Sequence, residues 1–549
     1  MFRSAHLAPI PNQPFNPGAL YLLIGLYLLF GLFGFDPWRG GDATHFGPIY
    51  SMLQGHGVLF PEIAREPLYG FPPLYYWTGA AFAYLTSGFL SVHSGARLAS
   101  AFFTALAIFF IARGTEWLHG RQERTAAALL TLGVLGLVIE AHQIQPMLAV
   151  MAMYALALSG FARVAAEPVK GALTAGLGSG LCFLAGGLIG AAITLPLFLL
   201  LMLFSRECRN PTTLSALLAG LCLAVTLMVV WPLAVHLSSP KLFQHWLGAQ
   251  IAPLLQGPLS MHRLPLFIEE TAWMMWPLWP LALWGLWQAR RKLVSVAWLL
   301  PSAAVVVVLV WLVLQGDART PLILLLIPPL ALLAVGGVPS LRRGAANAFD
   351  WFAVMTFGVF ALLVWLGWTA QVFAWPRGLA RHIARVAPDY HFSGDMLPAL
   401  IGVVVCLVWL AAVVRQPRSR ARGAANWAMG MTMLWCLAVL LLQPWFNHNR
   451  GYKDMAQDLD RYLNNVPEAN CIASMDMADA LRSSLYYFAN VRTYDASNGI
   501  TPCSRLIIHG DRGEEPATPA SQWQLVWSYT RGGDNQLETL NLYSRSTSP

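Results

Sequence analysis

Charged residues are scarce in this sequence: Asp, Glu, Lys and Arg make up 11% of its 549 residues. A soluble domain carries about 25% charged and roughly 45–50% apolar residues, whereas 56% of this chain is hydrophobic and its mean hydropathy is +0.53. The composition therefore excludes an ordinary soluble protein. The net charge of +8 does not indicate a nucleic-acid partner, because the basic residues fall in short loops between apolar runs.

Cysteine patterns typical of metal sites are also missing. The chain has seven cysteines but no CxxC or HExxH spacing, so a dedicated structural zinc site is not expected. Four of the seven lie in apolar segments and read as small core residues. Cys471 and Cys503 lie in a polar tail, where they either pair in an oxidising compartment or remain two free thiols.

Apolar runs of about 17–25 residues recur along most of the chain, and each is long enough to cross a hydrocarbon core of about 30 Å. They predict an all-α polytopic membrane bundle with thirteen crossings. The predicted spans are 18–35, 97–112, 124–141, 146–163, 173–188, 190–204, 213–237, 271–288, 294–314, 321–337, 351–375, 397–414 and 425–443. A further apolar stretch, 72–92, is expected to be a re-entrant or interfacial helix that does not cross the membrane. Only then do all the loops rich in Lys and Arg fall on one side of the membrane and all the loops poor in them on the other.

The loops between these spans differ in positive charge. Six short loops (113–124, 163–170, 205–212, 290–293, 340–347 and 415–422) hold 16 Lys and Arg. The alternate loops (36–96, 140–145, 238–270, 315–320 and 376–396) hold only eight over a greater length. Positive loops stay in the cytoplasm. The amino terminus is therefore expected inside, with the first span kept as an anchor, and the 36–96 loop and the carboxyl-terminal tail outside.

From about residue 444 the sequence becomes polar and rich in turn residues. Helical patterns at 451–464 and 478–490 alternate with strand patterns at 471–475, 491–495, 504–510, 523–530 and 537–545. This mixture predicts a small soluble α/β domain over 444–549, after a membrane domain over 1–443.

The 36–73 stretch concentrates ionisable residues between two apolar segments. It carries Asp36, Arg39, Asp42, His45, Glu62, Arg65 and Glu66. Charges beside a membrane are costly unless they face water, a partner or a substrate. Asp42 follows Gly40 and Gly41, which free the backbone to bring its carboxylate close to a ligand. It is a candidate general base; the alternative is that Asp42 caps a juxtamembrane helix.

The 36–96 loop resembles the first outer loop of bacterial GT-C glycosyltransferases of the protein-mannosyltransferase and aminoarabinose-transferase type. The matching text is Asp42-Ala43, His45-Phe46, Ile63-Ala64-Arg65-Glu66, Tyr69-Gly70-Phe71-Pro72-Pro73 and Tyr76-Trp77. The stretches 145–157, 183–197, 229–237, 240–246, 261–270 and 317–334 resemble later family segments in the same order. The resemblance covers nearly the whole membrane part.

The resemblance implies an enzyme that transfers a sugar from a polyprenyl-phosphate carrier to an acceptor on the outer face of the bacterial inner membrane. The acceptor would be lipid A, another glycolipid or a protein. Asp42 takes the place of the family's base, which implies a single inverting displacement. The expected phosphate-binding cations are Arg39, His45, Arg65, His262, Arg263 and Arg319, and Glu66 and Tyr69 are also expected to contact substrate.

Some family positions carry different residues here. Ala43 stands where the family has Glu, Gly70-Phe71 where it has Glu-Lys, Gln145 where it has a second loop Asp, and Gly186 where it has Lys. These departures point to a changed substrate or reduced activity. A Glu/His metal pair of some relatives falls on Gly70 and Gln250, so no cofactor or bound metal is expected.

Two other functions remain open at this stage. A transporter or flippase for a lipid-linked glycan should show internal symmetry and ionisable residues within its helices, whereas charge here concentrates at one rim. A non-catalytic envelope scaffold would use the soluble domain to bind partners and would tolerate replacement of Asp42.

Overall fold

The structure is a computed structural model that describes residues 16–316, 320–387, 390, 392, 394–417, 419, 421–467, 470–475, 477–496, 501–510, 522–531 and 538–545. Helices dominate the described chain. In chain order they are α1 (Pro17–Leu29), α2 (Gly41–Leu53), α3 (Leu74–Thr86), α4 (Val92–His119), α5 (Arg124–Leu132), α6 (Leu137–Glu140), α7 (Met147–Arg163), α8 (Pro168–Gly186), α9 (Leu188–Phe204), α10 (Pro211–Ser238), α11 (Pro240–Leu255), α12 (Leu264–Met274), α13 (Leu278–Gln288), α14 (Val296–Leu314), α15 (Thr320–Ile323), α16 (Ile327–Gly337), α17 (Arg343–Phe373), α18 (Arg377–Val386), α19 (Leu397–Arg415), α20 (Arg422–Arg450), α21 (Lys453–Asn464) and α22 (Asp479–Ala489).

Eight helical stretches within the described residues are long and apolar enough to cross a membrane. Seven are the helices α4, α8, α10, α14, α17, α19 and α20, and the eighth is the stretch Pro321–Ser340, which contains α16. The apolar helices α1, α7 and α9 are shorter. The predicted multi-pass helical membrane protein is confirmed, while the count of thirteen crossings stays a prediction. α3 has 13 residues, and a helix of that length spans only about 20 Å. This length agrees with the expectation that the 72–92 stretch does not cross.

Two of the predicted spans are broken in the structure. The 124–141 span ends as a helix at Leu132, because the Gly133 carbonyl accepts a hydrogen bond of 2.6 Å from the buried Trp427 indole. The 271–288 span is divided between α12 and α13 at Pro277, which has no N–H to donate to a helix. In contrast, 173–204 does form two helices, which separate at Gly187, where φ is +67°.

Glycine allows α8 to pack closely against both α7 and α10. A Cβ on Gly178 would lie 2.4 Å from the backbone N of Ala157 in α7, and a Cβ on Gly176 would lie 2.3 Å from the carbonyl O of Gly220 in α10. Small residues at such contacts are typical of helix pairs in membranes, where close backbone approach replaces the hydrophobic driving force. These three helices form a tightly packed part of the bundle.

The segment between α1 and α4 folds over one end of the bundle. After α2, a hairpin pairs β1 (Glu62–Ile63) with β2 (Glu66–Pro67), and α3 returns the chain to α4. The turn residues Ala64 and Arg65 both have positive φ, +52° and +80°, as a two-residue hairpin turn requires. We call the end of the bundle that carries this segment the loop face.

The polar tail forms a five-stranded sheet with two helices. α20 continues to Arg450, beyond the expected boundary at 443. The strands are β3 (Ile472–Met475), β4 (Thr493–Asp495), β5 (Arg505–Gly510), β6 (Trp523–Arg531) and β7 (Glu538–Arg545), in the order β4-β3-β5-β7-β6. β3 runs parallel to β4 and β5, and β7 runs antiparallel to β5 and β6. The predicted α/β domain is confirmed.

A disulfide joins Cys471 and Cys503, whose Cα atoms are 4.8 Å apart, so the open question of their pairing is answered by the structure. The two cysteines precede the adjacent strands β3 and β5. The bond therefore closes the start of both strands.

The soluble domain sits directly on the loop face. Ala43 of α2 belongs to the same apolar core as Met455, Leu459, Leu481 and Leu485 of the tail helices. At Gly47 a Cβ would lie 2.3 Å from the Ser483 Oγ in α22, so α2 and α22 are in direct contact. One face of α2 is thus part of the soluble domain's core, while Asp42 on the same helix faces the bundle.

Candidate active site

Asp42 lies in the first turn of α2, next to Gly40, whose φ of +96° aims the chain into the helix. Its side chain is only 1% exposed. Oδ2 accepts hydrogen bonds from the Trp38 backbone N–H (2.9 Å) and the Arg97 Nη2 (2.6 Å), and Oδ1 accepts one from the Ile144 backbone N–H (2.7 Å). Three donors therefore fix the orientation of this carboxylate.

Arg97 is the buried partner of Asp42. It lies in the second turn of α4 and is also 1% exposed. Its guanidinium donates further hydrogen bonds to the carbonyl oxygens of Phe35 and, at 2.8 Å, of Asp36. The ion pair therefore fixes the point where the chain leaves α1 and enters α2.

A separate set of hydrogen bonds near this ion pair includes a second carboxylate. The Tyr75 hydroxyl lies 2.6 Å from the Ser100 Oγ and accepts a hydrogen bond of 3.1 Å from the Gln145 backbone N–H. The Gln145 Nε2 donates to the Glu140 Oε2 at 2.8 Å. Burial raises the pKa of the partly exposed Glu140, and the nearby charge of Asp42 adds to this, against the lowering effect of the Gln145 hydrogen bond.

Gln145 thus stands where the family has its second loop Asp, and it donates a hydrogen bond to Glu140, five residues earlier. Neither Arg97 nor Glu140 was predicted from the sequence. The signal for Arg97 is a lone arginine at the start of an apolar span, since such a charge is costly without a partner. Glu140 had a weaker signal, as the only acid in the 140–145 loop.

A small cavity of about 10 Å³ borders the ion pair, and it is lined by Asp42, Arg97, Trp38, His142, Gln143 and neighbouring apolar side chains. This is about the space that a single water molecule needs. Asp42 therefore borders a void, but the void does not admit a sugar in this arrangement.

His45 lies one turn after Asp42 on α2. Its Nδ1 is 2.9 Å from the Tyr76 hydroxyl, and its ring meets the Phe71 ring edge-on at 5.5 Å. Burial lowers the pKa of His45 to about 4. The imidazole is therefore neutral near pH 7 and cannot balance a phosphate charge as a cation.

Tyr69 and Gly70 are held by a single amide. The Gln250 Nε2 donates to the carbonyl oxygens of Gly70 (2.8 Å) and Tyr69 (3.3 Å), while its Oε1 accepts from the Leu188 backbone N–H at 3.2 Å. Gly70 and Gln250 are the positions on which the metal pair of some relatives falls, and the fold does bring them together. Among the described residues, no group of three or more His, Cys, Asp or Glu could hold a metal ion.

Arg39 and Glu66 face the soluble domain. Arg39 pairs with the buried Glu538 at 3.6 Å, and Glu66 pairs with Arg482 at 2.5 Å and accepts a hydrogen bond of 3.0 Å from the Asp495 backbone N–H. In this arrangement both candidates bind the tail of their own chain. Of the other cationic candidates, Arg65 is exposed on the hairpin turn and His262 and Arg263 are exposed just before α12. Arg319 lies outside the described residues.

The arrangement of the bundle, the loop-face segment and the soluble domain is the GT-C glycosyltransferase fold, and the resemblance expected from the sequence is confirmed at the level of the fold. No protein-family model and no curated protein sequence matches the chain. Among solved structures, the chain is similar to ArnT from Cupriavidus metallidurans bound to undecaprenyl phosphate, with a TM-score of 0.66 and 15% identity over 95% of this chain and 96% of that one. For apo ArnT the TM-score is 0.62, with 17% identity over 87% and 85% of the two chains.

Proposed function

We propose that this protein is an integral-membrane glycosyltransferase that moves a sugar from a polyprenyl-phosphate carrier to an envelope acceptor at the outer face of the inner membrane. The similarity to an ArnT bound to undecaprenyl phosphate supports the carrier, since it extends over 95% of this chain. The observation on which the proposal mainly depends is the buried carboxylate of Asp42, held at the start of the loop-face segment by Arg97 and two backbone N–H groups.

In the proposed reaction, Asp42 is the general base. A carboxylate has about four acceptor sites, and three are used here, which leaves one on Oδ1. An acceptor hydroxyl attacks the anomeric carbon, the bond from that carbon to the phosphate oxygen breaks, and the proton passes to Oδ1. The configuration inverts, and the carrier leaves as the lipid phosphate. The hydroxyl can reach Oδ1 only after the adjoining cavity of about 10 Å³ widens.

The leaving phosphate needs positive charge. The exposed Arg65, His262 and Arg263 are available for this role, and Arg319 is proposed from the family likeness. The Leu259 backbone N–H, in the turn before His262, donates a hydrogen bond of 2.7 Å to the Val313 carbonyl oxygen, which fixes this turn beside the end of α14. Arg39 and Glu66 would first have to release the soluble domain. Neutral His45 and Tyr69 are proposed to contact the sugar.

The test compares the envelope glycolipids and glycoproteins of four strains by mass spectrometry: the parent, a deletion strain, and the deletion strain expressing either Asp42→Asn or Asp454→Asn. Asp454 is an exposed acid on the same face, so its change is a matched control. We expect a loss of one sugar mass in the deletion strain, rescue by Asp454→Asn, and no rescue by Asp42→Asn at equal protein level.

No change in any glycan on deletion would overturn the transferase and favour a scaffold or a transporter. Full rescue by Asp42→Asn would remove Asp42 as the base. Glu140→Gln is then the informative variant, because Glu140 is the second carboxylate of the cluster and its pKa is raised, as a general base requires.

A further inference from the structure

Helix α18 (Arg377–Val386) connects α17 to α19 and has two chemically distinct sides. Arg377, Arg381 and Arg385 recur every four residues and so lie on one side of the helix, where all three are exposed. Leu379, Ile383 and Val386 lie on the other side and are half-buried. No residue of α18 is fully buried. A short helix with one basic and one apolar side is typical of a segment that lies in the plane of a membrane surface.

The charge of α18 contrasts with the loops on its side of the membrane. Those loops (36–96, 140–145, 238–270, 315–320 and 376–396) contain eight Lys and Arg in total, and three of the eight are the arginines of α18. Positive residues are generally depleted on that side. A helix side that only faces water could carry any charged residue. All three charged residues of α18 are arginines, and a guanidinium pairs with a phosphate through two parallel hydrogen bonds.

The position of α18 places these arginines at headgroup level. α18 follows the end of the long apolar helix α17. The side chains of Phe373, the last residue of α17, and Trp375, between the two helices, are 61% and 64% exposed. Exposed aromatic residues at the end of a membrane helix are typical of the interface between lipid and water.

The chain after α18 contacts the region of the candidate active site. The Tyr390 ring lies 5.8 Å from the His448 ring, near the end of α20. Two residues later, Arg450 stacks over Trp38, whose backbone N–H donates to Asp42. Helix α18 therefore belongs to the loop face.

We propose that α18 is a lipid-binding element whose arginines hold the phosphate groups of anionic lipids in the leaflet at the loop face. The apolar side of the helix is half-buried, while Arg377 and Arg381, about 6 Å apart along the axis, reach neighbouring headgroups. This binding does not depend on catalysis, and it holds anionic lipid beside the site whether or not that lipid is an acceptor.

Hydrogen exchange of the full-length protein tests the proposal. The protein is placed in nanodiscs of phosphatidylcholine, which is zwitterionic, or of phosphatidylglycerol, which is anionic, and exchange is followed by mass spectrometry in peptides covering 377–386. We expect exchange of these amides to be about thirtyfold slower in phosphatidylglycerol, because Arg377 and Arg381 each gain roughly 1 kcal/mol near an anionic surface. High salt should remove the difference.

The variant Arg377→Gln/Arg381→Gln should lose this difference. The matched control, Arg290→Gln/Arg291→Gln, removes the same charge from a loop at the opposite end of the bundle and should keep it. Unchanged exchange in 453–464 and 479–489 checks that both variants are folded. Three outcomes would each overturn the proposal. Exchange of α18 could be equal in the two lipids, the difference between lipids could survive the double substitution at α18, or the difference could disappear equally in the control variant. Because no turnover is measured, a failed transferase assay leaves this result unaffected.

Discussion

The ion pair between Asp42 and Arg97 is fully buried in the described membrane part. Both side chains are 1% exposed, and their closest atoms are 2.6 Å apart. Taking two charges out of water is costly, so the net stabilisation from such a pair is small, but the removal of one partner leaves a buried charge without compensation. The pair therefore acts mainly to hold the start of α2 in one position.

We expect Arg97→Gln to destabilise the protein by about 3–5 kcal/mol, measured as a lower midpoint of thermal unfolding in detergent. Arg113→Gln is the control, because its ion pair with Glu116 is short, at 2.5 Å, but its side chains are 36% and 21% exposed. Such an exposed pair contributes at most about 1 kcal/mol. Equal shifts for the two variants would contradict the buried ion pair.

Among individual side chains, the sequence indicated Asp42 but not its partner. Local pattern identifies an acid beside two glycines, whereas Arg97 is 55 residues away and is brought to Asp42 only by the packing of α4. The same limit applies to Arg39 and Glu66. Their charge beside a membrane suggested substrate contacts, yet Glu538 and Arg482, more than 400 residues later, bind them in the structure.

At the element scale, the prediction was most accurate in the tail. Periods of two and of 3.6 residues, separated by turn residues, located all five strands and both helices of the soluble domain to within about two residues. The breaks in the apolar spans were missed. Hydrophobicity alone does not distinguish a continuous helix from one that stops at Leu132, because the hydrogen bond that stabilises the break comes from Trp427.

The disulfide at the start of β3 and β5 gives a prediction for the soluble domain. It closes a loop of 32 residues, and the chain-entropy estimate for that length is about 3–4 kcal/mol. The double variant Cys471→Ala/Cys503→Ala should therefore raise the rate of proteolysis within the tail by about 100-fold or more, since cleavage follows the population of opened molecules.

The control for this prediction is Cys222→Ala, which removes an exposed free cysteine from α10 and should leave the proteolysis rate unchanged. Reduction of the wild-type protein should reproduce the effect of the double variant. A tail that is equally resistant with and without reductant would show that the bond does not stabilise the sheet.

At the scale of the whole molecule, two independent features favour the same orientation. The loops opposite the loop face hold 16 Lys and Arg against eight, which favours their retention in the cytoplasm. The Cys471–Cys503 bond lies in the domain on the loop face, and structural disulfides persist in oxidising compartments.

We therefore expect alkaline phosphatase, which requires an oxidising compartment, to be active when it is fused after residue 545. A fusion within the 205–212 loop should be inactive at equal expression. The reverse pattern would place the candidate site on the cytoplasmic side and would exclude an acceptor at the outer surface.

The contacts between α2 and the tail also set an order of events. Ribosomes make the 36–96 segment before residues 451–545, and yet Ala43 shares its core with Leu481 and Leu485, and Glu66 binds Arg482. Until residues 451–545 have emerged and folded, these side chains of the loop face lack their neighbours. The loop face is thus expected to reach its final arrangement only after the tail has folded.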